Sequence, residues 1–326
     1  MFTLDQLHEA ADLVRAHVPP TPQFAWPLLA DRTGAEVWVK HENHTPAGAF
    51  KLRGGLVYLD DLARGAAASG RPVPGIATAT RGNHGQSIPF AARPHGIPVR
   101  VWVPHGNSVE KNAAARAWGA EVIEHGHDFE AARAEAMRVA ADEGLHPIGP
   151  FHPLLVRGVA TYALEFLSAQ PDLHTVYAPI GMGSGACGLI AARDLLGLKT
   201  EIVGVVAAAA PAYALSFEAG RVVATETAPT FADGVACRAP SEEALDVLLK
   251  GAARIVRVTE DGVAEAMRAL HADTHNMAES AGAVALAGLM AERDRMRGRR
   301  VGVILSGGNV DATQYAKVLA GETPAA

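Results

Sequence analysis

Two kinds of hydrophobic pattern alternate along this chain. Short runs of β-branched and apolar residues predict strands near 36–40, 75–78, 99–103, 121–123, 175–179, 202–206, 254–258 and 300–305. Longer runs, in which apolar residues recur every three or four positions, predict helices near 50–64, 85–93, 108–118, 128–143, 154–167, 185–196, 241–250, 260–275 and 278–292. Alternation of strands and helices on this scale predicts an α/β fold with mostly parallel sheets.

A further helix is predicted before the first of these strands. Thr3 and Gln6 have the spacing of a capping box, and the apolar residues that follow fall on one helical face. Prolines from Pro19 onward end the pattern, so we expect this helix to run to about Ala16.

In such folds, ligands bind where strands end and helices begin. Lys51 lies at a junction of this kind, between Phe50 and Leu52 and after the strand-like run 36–40. An amine held among apolar neighbours loses hydration, so its pKa falls and the neutral nucleophile can form a Schiff base. Taken alone, the run also fits an ordinary surface lysine in the first turn of a helix.

A second junction carries the run Thr80-Arg-Gly-Asn-His-Gly-Gln86, directly after the strand-like run 75–78. Consecutive backbone amides at a glycine-containing turn into a helix form an anion site that suits a carboxylate. Asn83 adds a neutral donor. A plain helix-capping turn is the alternative.

A third junction carries the run Pro179-Ile-Gly-Met-Gly-Ser-Gly185. Glycines that let several N–H groups converge, a following helix N-terminus and the Ser184 hydroxyl together suit a phosphate dianion. A dinucleotide is disfavoured because the next strand, in the run Val203–Ala210, is not followed by the acidic residue that would hold a ribose.

Three later runs are polar at similar junctions. Thr230-Phe-Ala-Asp-Gly-Val235 contains Asp233, which is either an ion-pair partner or a turn residue. Glu279 lies in the first turn of the predicted helix 278–292, where a glutamate is also a routine partner of the helix dipole. Ser306 follows the buried run 301–305, where it could be a simple strand cap.

Composition excludes several classes of function. The net charge is −6 with no basic block, so nucleic acid and anionic membranes are poor partners. The chain has no charged and apolar leader and no run of about 18 apolar residues, so we expect a cytoplasmic protein without a membrane span. Cys187 and Cys237 form no CxxC pair, and the 14 histidines show no metal-binding spacing, so we expect core cysteines and no metal site.

The order and residues of these runs, from about Thr21 to Asp311, resemble the fold-type II pyridoxal phosphate (PLP) enzymes, specifically the threonine dehydratase and serine racemase branch. The resemblance implies a tryptophan synthase β-like fold, in which two open parallel-sheet α/β domains hold PLP in the cleft between them. It further implies a large PLP-binding domain of residues 1–71 and 152–326 and a small mobile domain of residues 72–151.

The resemblance also implies roles for individual residues. Lys51 would carry PLP within the family's (S/A)FK(L/V)RG run, and the Ser306 hydroxyl would bind the pyridine nitrogen, which favours β-elimination over transamination. The implied cofactor-binding residues are Phe50, Lys51, Asn83, Gly181, Met182, Gly183, Ser184, Gly185, Gly234, Glu279 and Ser306. The implied substrate-binding residues are Thr80, Arg81, Gly82, Asn83 and His84.

Two departures from the family pattern change the expectations. Arg81 stands where relatives have serine or alanine, and because arginine stays protonated we predict weak or absent racemisation. Arg81 would pair with a second carboxylate, reach a bulky β-substituent, or point to solvent. Val206 and Ala212 stand where cation-binding relatives have acidic residues, so we predict no Mg²⁺ or Ca²⁺ there.

The function that the resemblance implies is a PLP-dependent ammonia-lyase acting on a β-hydroxy-α-amino acid, by default L-threonine or L-serine. Bulkier or acidic substrates, 3-phenylserine or 3-hydroxyaspartate, are the first alternative because of Arg81. A PLP β-replacement synthase and a non-enzymatic α/β protein that binds a phosphorylated metabolite are the others. A homodimer is expected from the family.

Overall fold

A computed structural model describes residues 1–326. Ten strands are present: β1 Gln23–Ala25, β2 Glu36–His41, β3 Ile76–Ala79, β4 Val99–Val103, β5 Ala120–Glu124, β6 His146–Pro147, β7 Thr175–Pro179, β8 Glu201–Ala207, β9 Ala252–Val258 and β10 Arg300–Leu305. The α-helices are α1 Leu4–Arg15, α2 Pro27–Thr33, α3 Lys51–Ser69, α4 His84–Ala92, α5 Val109–Ala117, α6 Phe129–Glu143, α7 Pro153–Ala169, α8 Ser184–Leu195, α9 Ala212–Ala219, α10 Glu242–Gly251, α11 Glu260–Thr274, α12 Ser280–Ala291, α13 Arg293–Met296 and α14 Ala312–Leu319.

The strands form two sheets. A six-stranded sheet has the order β1-β2-β10-β7-β8-β9, and a four-stranded sheet has the order β5-β4-β3-β6. Every pairing is parallel except the antiparallel pair β1 and β2. The prediction of an α/β fold with mostly parallel sheets is confirmed. None of the helices has the length and apolar character needed to cross a bilayer.

Strand β10 lies in the middle of the larger sheet, between β2 and β7. Its residues are buried from Val301 to Leu305, as expected for a parallel strand covered on both faces. Because parallel strands end at the same edge, the Lys51 segment after β2, the glycine loop after β7 and Ser306 after β10 meet at one edge of this sheet.

The smaller sheet contains residues 76–147 and brings the loop Thr80–Asn83 to the end of β3. This range falls inside the predicted small domain, although the limits at residues 72 and 151 stay a prediction. Helix α3 has apolar residues such as Leu52 and Leu56 in the same hydrophobic cluster as β3 and β4. The helix that begins at Lys51 therefore packs against the smaller sheet.

Six short elements were not expected from the pattern: β1, β6, α2, α9, α13 and α14. Strand β6 has only two residues, and α2 is a seven-residue helix that begins at Pro27 and ends at the left-handed Gly34. Short segments of this kind complete too few turns to show a period, so neighbouring structure decides their conformation. Both cysteines are free and buried, as expected.

Candidate active site

Lys51 is held at the edge of the larger sheet by its neighbours in the chain. The Phe50 N–H donates to the Ser306 carbonyl at 3.1 Å, and Ala49 forms a β-bridge with Gly307. The Lys51 Nζ lies 5.1 Å from the centre of the Phe50 ring. Burial lowers the pKa of this amine to about 8, against the opposing effect of the Glu279 carboxylate. The structure therefore shows an amine held among apolar neighbours and not an ordinary surface lysine.

The loop before α4 faces the same space. The Gly82 N–H donates to the Thr80 hydroxyl at 2.9 Å, and Asn83 immediately precedes α4. The first N–H groups of a helix have no partner within the helix, so this end of α4 presents donors to an anion. His84 is buried, and its Nε2 has no hydrogen-bond partner. Burial lowers the pKa of His84 to about 3, and the charge of the nearby Lys51 adds to this effect. His84 is accordingly neutral at ordinary pH.

The Asn83 amide is fixed from two sides. Its Nδ2 donates to Glu279 Oε1, and its Oδ1 accepts from Asn309 Nδ2 at 2.9 Å. Asn309 Nδ2 also donates to the Ala47 carbonyl at 2.8 Å. The oxygen and one N–H of the amide are therefore occupied, which leaves the second N–H of Asn83, a residue that lines the same cavity as Lys51.

The glycine loop is shaped by contacts that leave no space for side chains. A Cβ at Gly181 would collide with the Gly234 carbonyl oxygen, and Gly183 adopts a left-handed φ of 97° next to the Ala244 side chain. Tyr213 donates its hydroxyl to the Met182 carbonyl at 2.9 Å. Helix α8 then begins at Ser184, and a Cβ added at Gly185 would lie 3.6 Å from the Phe50 ring. The loop thus offers backbone N–H groups and a helix N-terminus beside Lys51.

Sequence reasoning missed Lys111. This lysine, at the start of α5, contacts Asp233 Oδ2 at 2.6 Å and Glu279 Oε2 at 2.9 Å. Asp233, left open between two roles, is therefore an ion-pair partner, and Glu279 also binds Asn83. A cation in the first turn of a helix opposes the dipole, and this was the one signal in the sequence that marked Lys111 as unusual.

The predicted residues divide into two groups around the cavity. A cavity of about 110 Å³ is lined by Lys51, Thr80, Arg81, Gly82, Asn83, His84, Gly181, Met182 and Gly234, together with Lys111 and Asp233. The other predicted site residues do not line this cavity: Phe50, Gly183, Ser184, Gly185, Glu279 and Ser306. A larger opening of about 710 Å³ adjoins this cavity and shares Arg81 and Met182 with it.

Apolar residues occupy the two positions at which we predicted that no cation binds. Val206 and Ala212 are buried, and no group of three or more His, Cys, Asp or Glu side chains is arranged to hold a metal ion. The absence of a bound cation stays a prediction.

Comparisons with known proteins agree over most of the chain. The family model described as "Pyridoxal-phosphate dependent enzyme" matches residues 14–307. The L-threonine ammonia-lyase of Geobacter sulfurreducens is 33% identical over 98% of this chain and 78% of its own length. The L-threo-3-hydroxyaspartate ammonia-lyase of Saccharomyces cerevisiae is 28% identical over 98% of this chain and 97% of its own. The processed threonine deaminase isoform 2 of Solanum lycopersicum superposes with a TM-score of 0.88 at 28% identity, over 98% of this chain and 95% of that one.

Proposed function

Because this chain belongs to the family of pyridoxal-phosphate dependent enzymes, we propose that it is an ammonia-lyase that dehydrates a β-hydroxy-α-amino acid to the 2-oxo acid and ammonia. L-threonine or L-serine is the default substrate, in line with the activities for which its relatives are named. The observation that carries the proposal is the buried Lys51 amine, which faces an anion-binding helix end and lies beside a glycine loop.

The donor set fits pyridoxal phosphate. Its aldehyde requires a primary amine, and the desolvated Lys51 supplies one with a lowered pKa. Its phosphate requires converging N–H groups without side chains in the way, which the closely packed glycines from Gly181 to Gly185 provide. The buried Ser306 ends the strand between these two elements.

We assign the residues on this basis. Lys51 binds the aldehyde carbon, the N–H groups of Gly181–Gly185 bind the phosphate, and Asn83 donates to the ring oxygen. Ser306 binds the ring nitrogen, while Phe50, Gly234 and Glu279 pack around the ring. The N–H groups of the loop from Thr80 to His84 bind the substrate carboxylate.

When bound, the cofactor supplies an electron sink that stabilises negative charge at the substrate Cα. The substrate amine would displace Lys51 from the cofactor, and because burial lowers the pKa of Lys51 to about 8, part of the freed amine is neutral near neutral pH and can take the Cα proton. The helix end at His84 holds the carboxylate and so fixes which Cα bond faces that amine. The β-hydroxyl leaves as water, and the released enamine hydrolyses to the 2-oxo acid and ammonia.

We also propose that two copies of the chain associate and that the protein acts in the cytoplasm. Support for a homodimer comes from exposed apolar side chains, Phe24, Leu28 and Met277. The Phe24 ring lies 5.9 Å from the His41 ring, and Asn43 Nδ2 donates to the Met277 carbonyl at 3.2 Å. Light scattering on a gel-filtration peak would give the mass of the assembly, and a monomer would contradict the dimer.

The experiment compares wild type with Lys51→Ala, in each case supplemented with cofactor. We expect an absorbance band of lysine-bound cofactor in wild type and in Lys199→Ala, an exposed-lysine control, but not in Lys51→Ala. Release of 2-oxo acid should follow the same pattern with L-threonine or L-serine. A wild type without this band would refute the cofactor assignment, and 2-oxo acid formation that requires added sulfide would indicate a β-replacement synthase instead.

A further inference from the structure

Lys111 links the two sheets by ion pairs. Helix α5 packs against β5 of the four-stranded sheet, whereas Asp233 and Glu279 lie in the part of the chain that forms the six-stranded sheet. The Lys111 side chain is 7% exposed and the Glu279 side chain 2% exposed. A buried cation next to two carboxylates requires a fixed geometry, because the loss of hydration is offset only by close contact.

The N-terminus of α5 is held in place by hydrogen bonds with the N-terminus of α14. Asp311, just before α14, accepts from the Ser108 hydroxyl at 2.5 Å and from the Glu110 N–H at 3.3 Å. Glu110 in turn accepts from the Ala312 N–H at 2.8 Å. Helices α5 and α14 therefore cap each other's N-termini. These reciprocal hydrogen bonds fix the position from which Lys111 contacts Asp233 and Glu279.

Glu279 transmits the position of Lys111 to the Asn83 amide. One carboxylate oxygen of Glu279 contacts Lys111 and the other accepts from Asn83 Nδ2. Since Asn309 occupies the Asn83 oxygen, one N–H of Asn83 remains to point at the cavity lined by Lys51. The rotation of this amide is thus determined by groups outside the cavity.

The charge on Glu279 depends on Lys111. Burial holds the pKa of Glu279 above its ordinary value, Lys111 opposes this rise, and Asp233 adds to it. Lys51 is the other ionisable group that interacts with Glu279. For Lys111, burial alone would lower the pKa, but Glu279 and Asp233 outweigh it and raise the pKa above its ordinary value. A carboxylate accepts a stronger hydrogen bond than a neutral carboxyl group does, so protonation of Glu279 would loosen Asn83.

We infer that Lys111 is a positioning residue, which keeps Glu279 ionised and thereby holds Asn83 with one N–H directed at the reacting groups. Lys111 itself need not touch substrate. The inference deepens the proposed function and rests on it for the kinetic test, but its spectroscopic test requires only that cofactor binds.

The test uses Lys111→Met, which removes the charge, and Lys111→Arg, which keeps it, with Lys199→Met as a control at an exposed lysine. We expect kcat of Lys111→Met to fall roughly 100-fold near neutral pH, the size of effect that misplacement of a reacting group produces. The acid limb of its pH profile should move to higher pH, because Glu279 now takes up a proton more readily. Lys111→Arg should recover part of kcat and return the acid limb of the pH profile to its wild-type position. The control Lys199→Met should match wild type in both kcat and pH profile.

A double substitution separates this role from simple packing. Glu279→Gln cannot be protonated, so we expect it to remove the shifted acid limb, and Lys111→Met should cost little more in that background. Equal losses in both backgrounds, or an unshifted limb in Lys111→Met, would overturn the inference. If Lys111→Met does not fold, Glu279→Gln alone decides, because it must remove the acid limb of wild type.

The second readout is a pH titration of the absorbance of bound cofactor, without substrate. We expect its acid transition to move to higher pH in Lys111→Met and to disappear in Glu279→Gln. If no amino acid yields a 2-oxo acid, the proposed reaction fails while this titration still decides the role of Lys111. Identical titrations in wild type and Lys111→Met would refute it.

Discussion

Arg81 is the exposed cation of the cavity wall. It takes part in no ion pair, and it lines both the cavity that contains Lys51 and the larger opening beside it. A guanidinium in this place matches a carboxylate in geometry as well as in charge. At the scale of a single residue, Arg81 is therefore the position at which an acidic and a neutral β-substituent would be distinguished.

We predict that Arg81→Ala changes the preference among substrates. Its kcat/KM for 3-hydroxyaspartate should fall at least roughly 10-fold relative to that for threonine, which corresponds to about 1.4 kcal/mol. The measurement is 2-oxo acid release from both amino acids by wild type and variant. Arg133→Ala is the matched control, because Arg133 lines the larger opening but already pairs with Glu130 at 3.6 Å. Equal losses for the two substrates would contradict a role of Arg81 in distinguishing them, and no loss for either would show that Arg81 points to solvent.

Sequence reasoning located the site residues that stand in local motifs. Lys51, Asn83 and the glycine loop each combine a turn with a following helix, so a short window contains the whole signal. Lys111 belongs to no such motif, because its partners Asp233 and Glu279 are distant in the sequence and only the fold brings them together. The same limit applies to the charge on Glu279, which burial determines.

At the scale of elements, the start of α8 depends on one glycine. Gly183 has a φ of 97°, and a Cβ there would lie 2.7 Å from the Ala244 Cβ. Gly197, past the other end of α8, has a φ of 67° but nothing near its Cβ position. The two positions share the backbone strain and differ in crowding.

We predict that Gly183→Ala weakens cofactor binding by at least roughly 10-fold, because the N–H groups of the loop must shift to relieve the contact. Gly197→Ala should lower stability by about 1 kcal/mol through the left-handed backbone alone and leave cofactor affinity unchanged. Titration of each apoprotein with cofactor, followed by absorbance, measures the affinity. A Gly183→Ala protein with wild-type affinity would contradict the assignment of this loop to the phosphate.

The fold could be predicted wherever an element was long enough to show its period. Helices α6 and α11 were expected nearly to their ends, since each completes about four turns. Strand β1 could not be expected, because its three residues pair with β2 only after β2 has a place in the sheet. Helix α12 is buried on all sides from Ser280 to Leu289, so the recurrence of apolar residues predicted a helix there but did not show that it lacks an exposed face.

At the scale of the whole molecule, a buried ionic cluster joins the sheet edge to two helices. Arg53 pairs with Glu42 at 2.8 Å and with Glu165 at 2.8 Å, and Lys40 pairs with Glu165 at 2.6 Å. Burial would raise the pKa of Glu165, but Arg53 and Lys40 more than offset it and hold the pKa below its ordinary value. The cluster lies beside the start of α3, two residues from Lys51.

We predict that Glu165→Gln destabilises the protein by about 3 to 5 kcal/mol at pH 7, because it leaves the buried charges of Lys40 and Arg53 without the carboxylate that they share. Since the pKa of Glu165 is lower in the folded state, its contribution is complete above the ordinary pKa of a glutamate and is lost as pH falls through the folded value. Urea unfolding of wild type and Glu165→Gln should therefore give a difference that narrows in acid. The surface variant Glu135→Gln, which loses a solvent-exposed pair with Arg138, should unfold at nearly the same urea concentration as wild type at pH 7. A difference for Glu165→Gln that does not change with pH would contradict the prediction.

The place of β10 in the larger sheet has a consequence for how the protein is made. Strand β2 leaves the ribosome long before its parallel neighbour β10, and β7 can pair with β10 only once β10 has been synthesised. Lys51 and the glycine loop therefore come to lie side by side only after β10 has joined the sheet. Pairing across such sequence separations is slow, so we expect a nascent chain to capture its cofactor only after β10 has emerged, and to depend until then on protection of the open sides of β2 and β7 from aggregation.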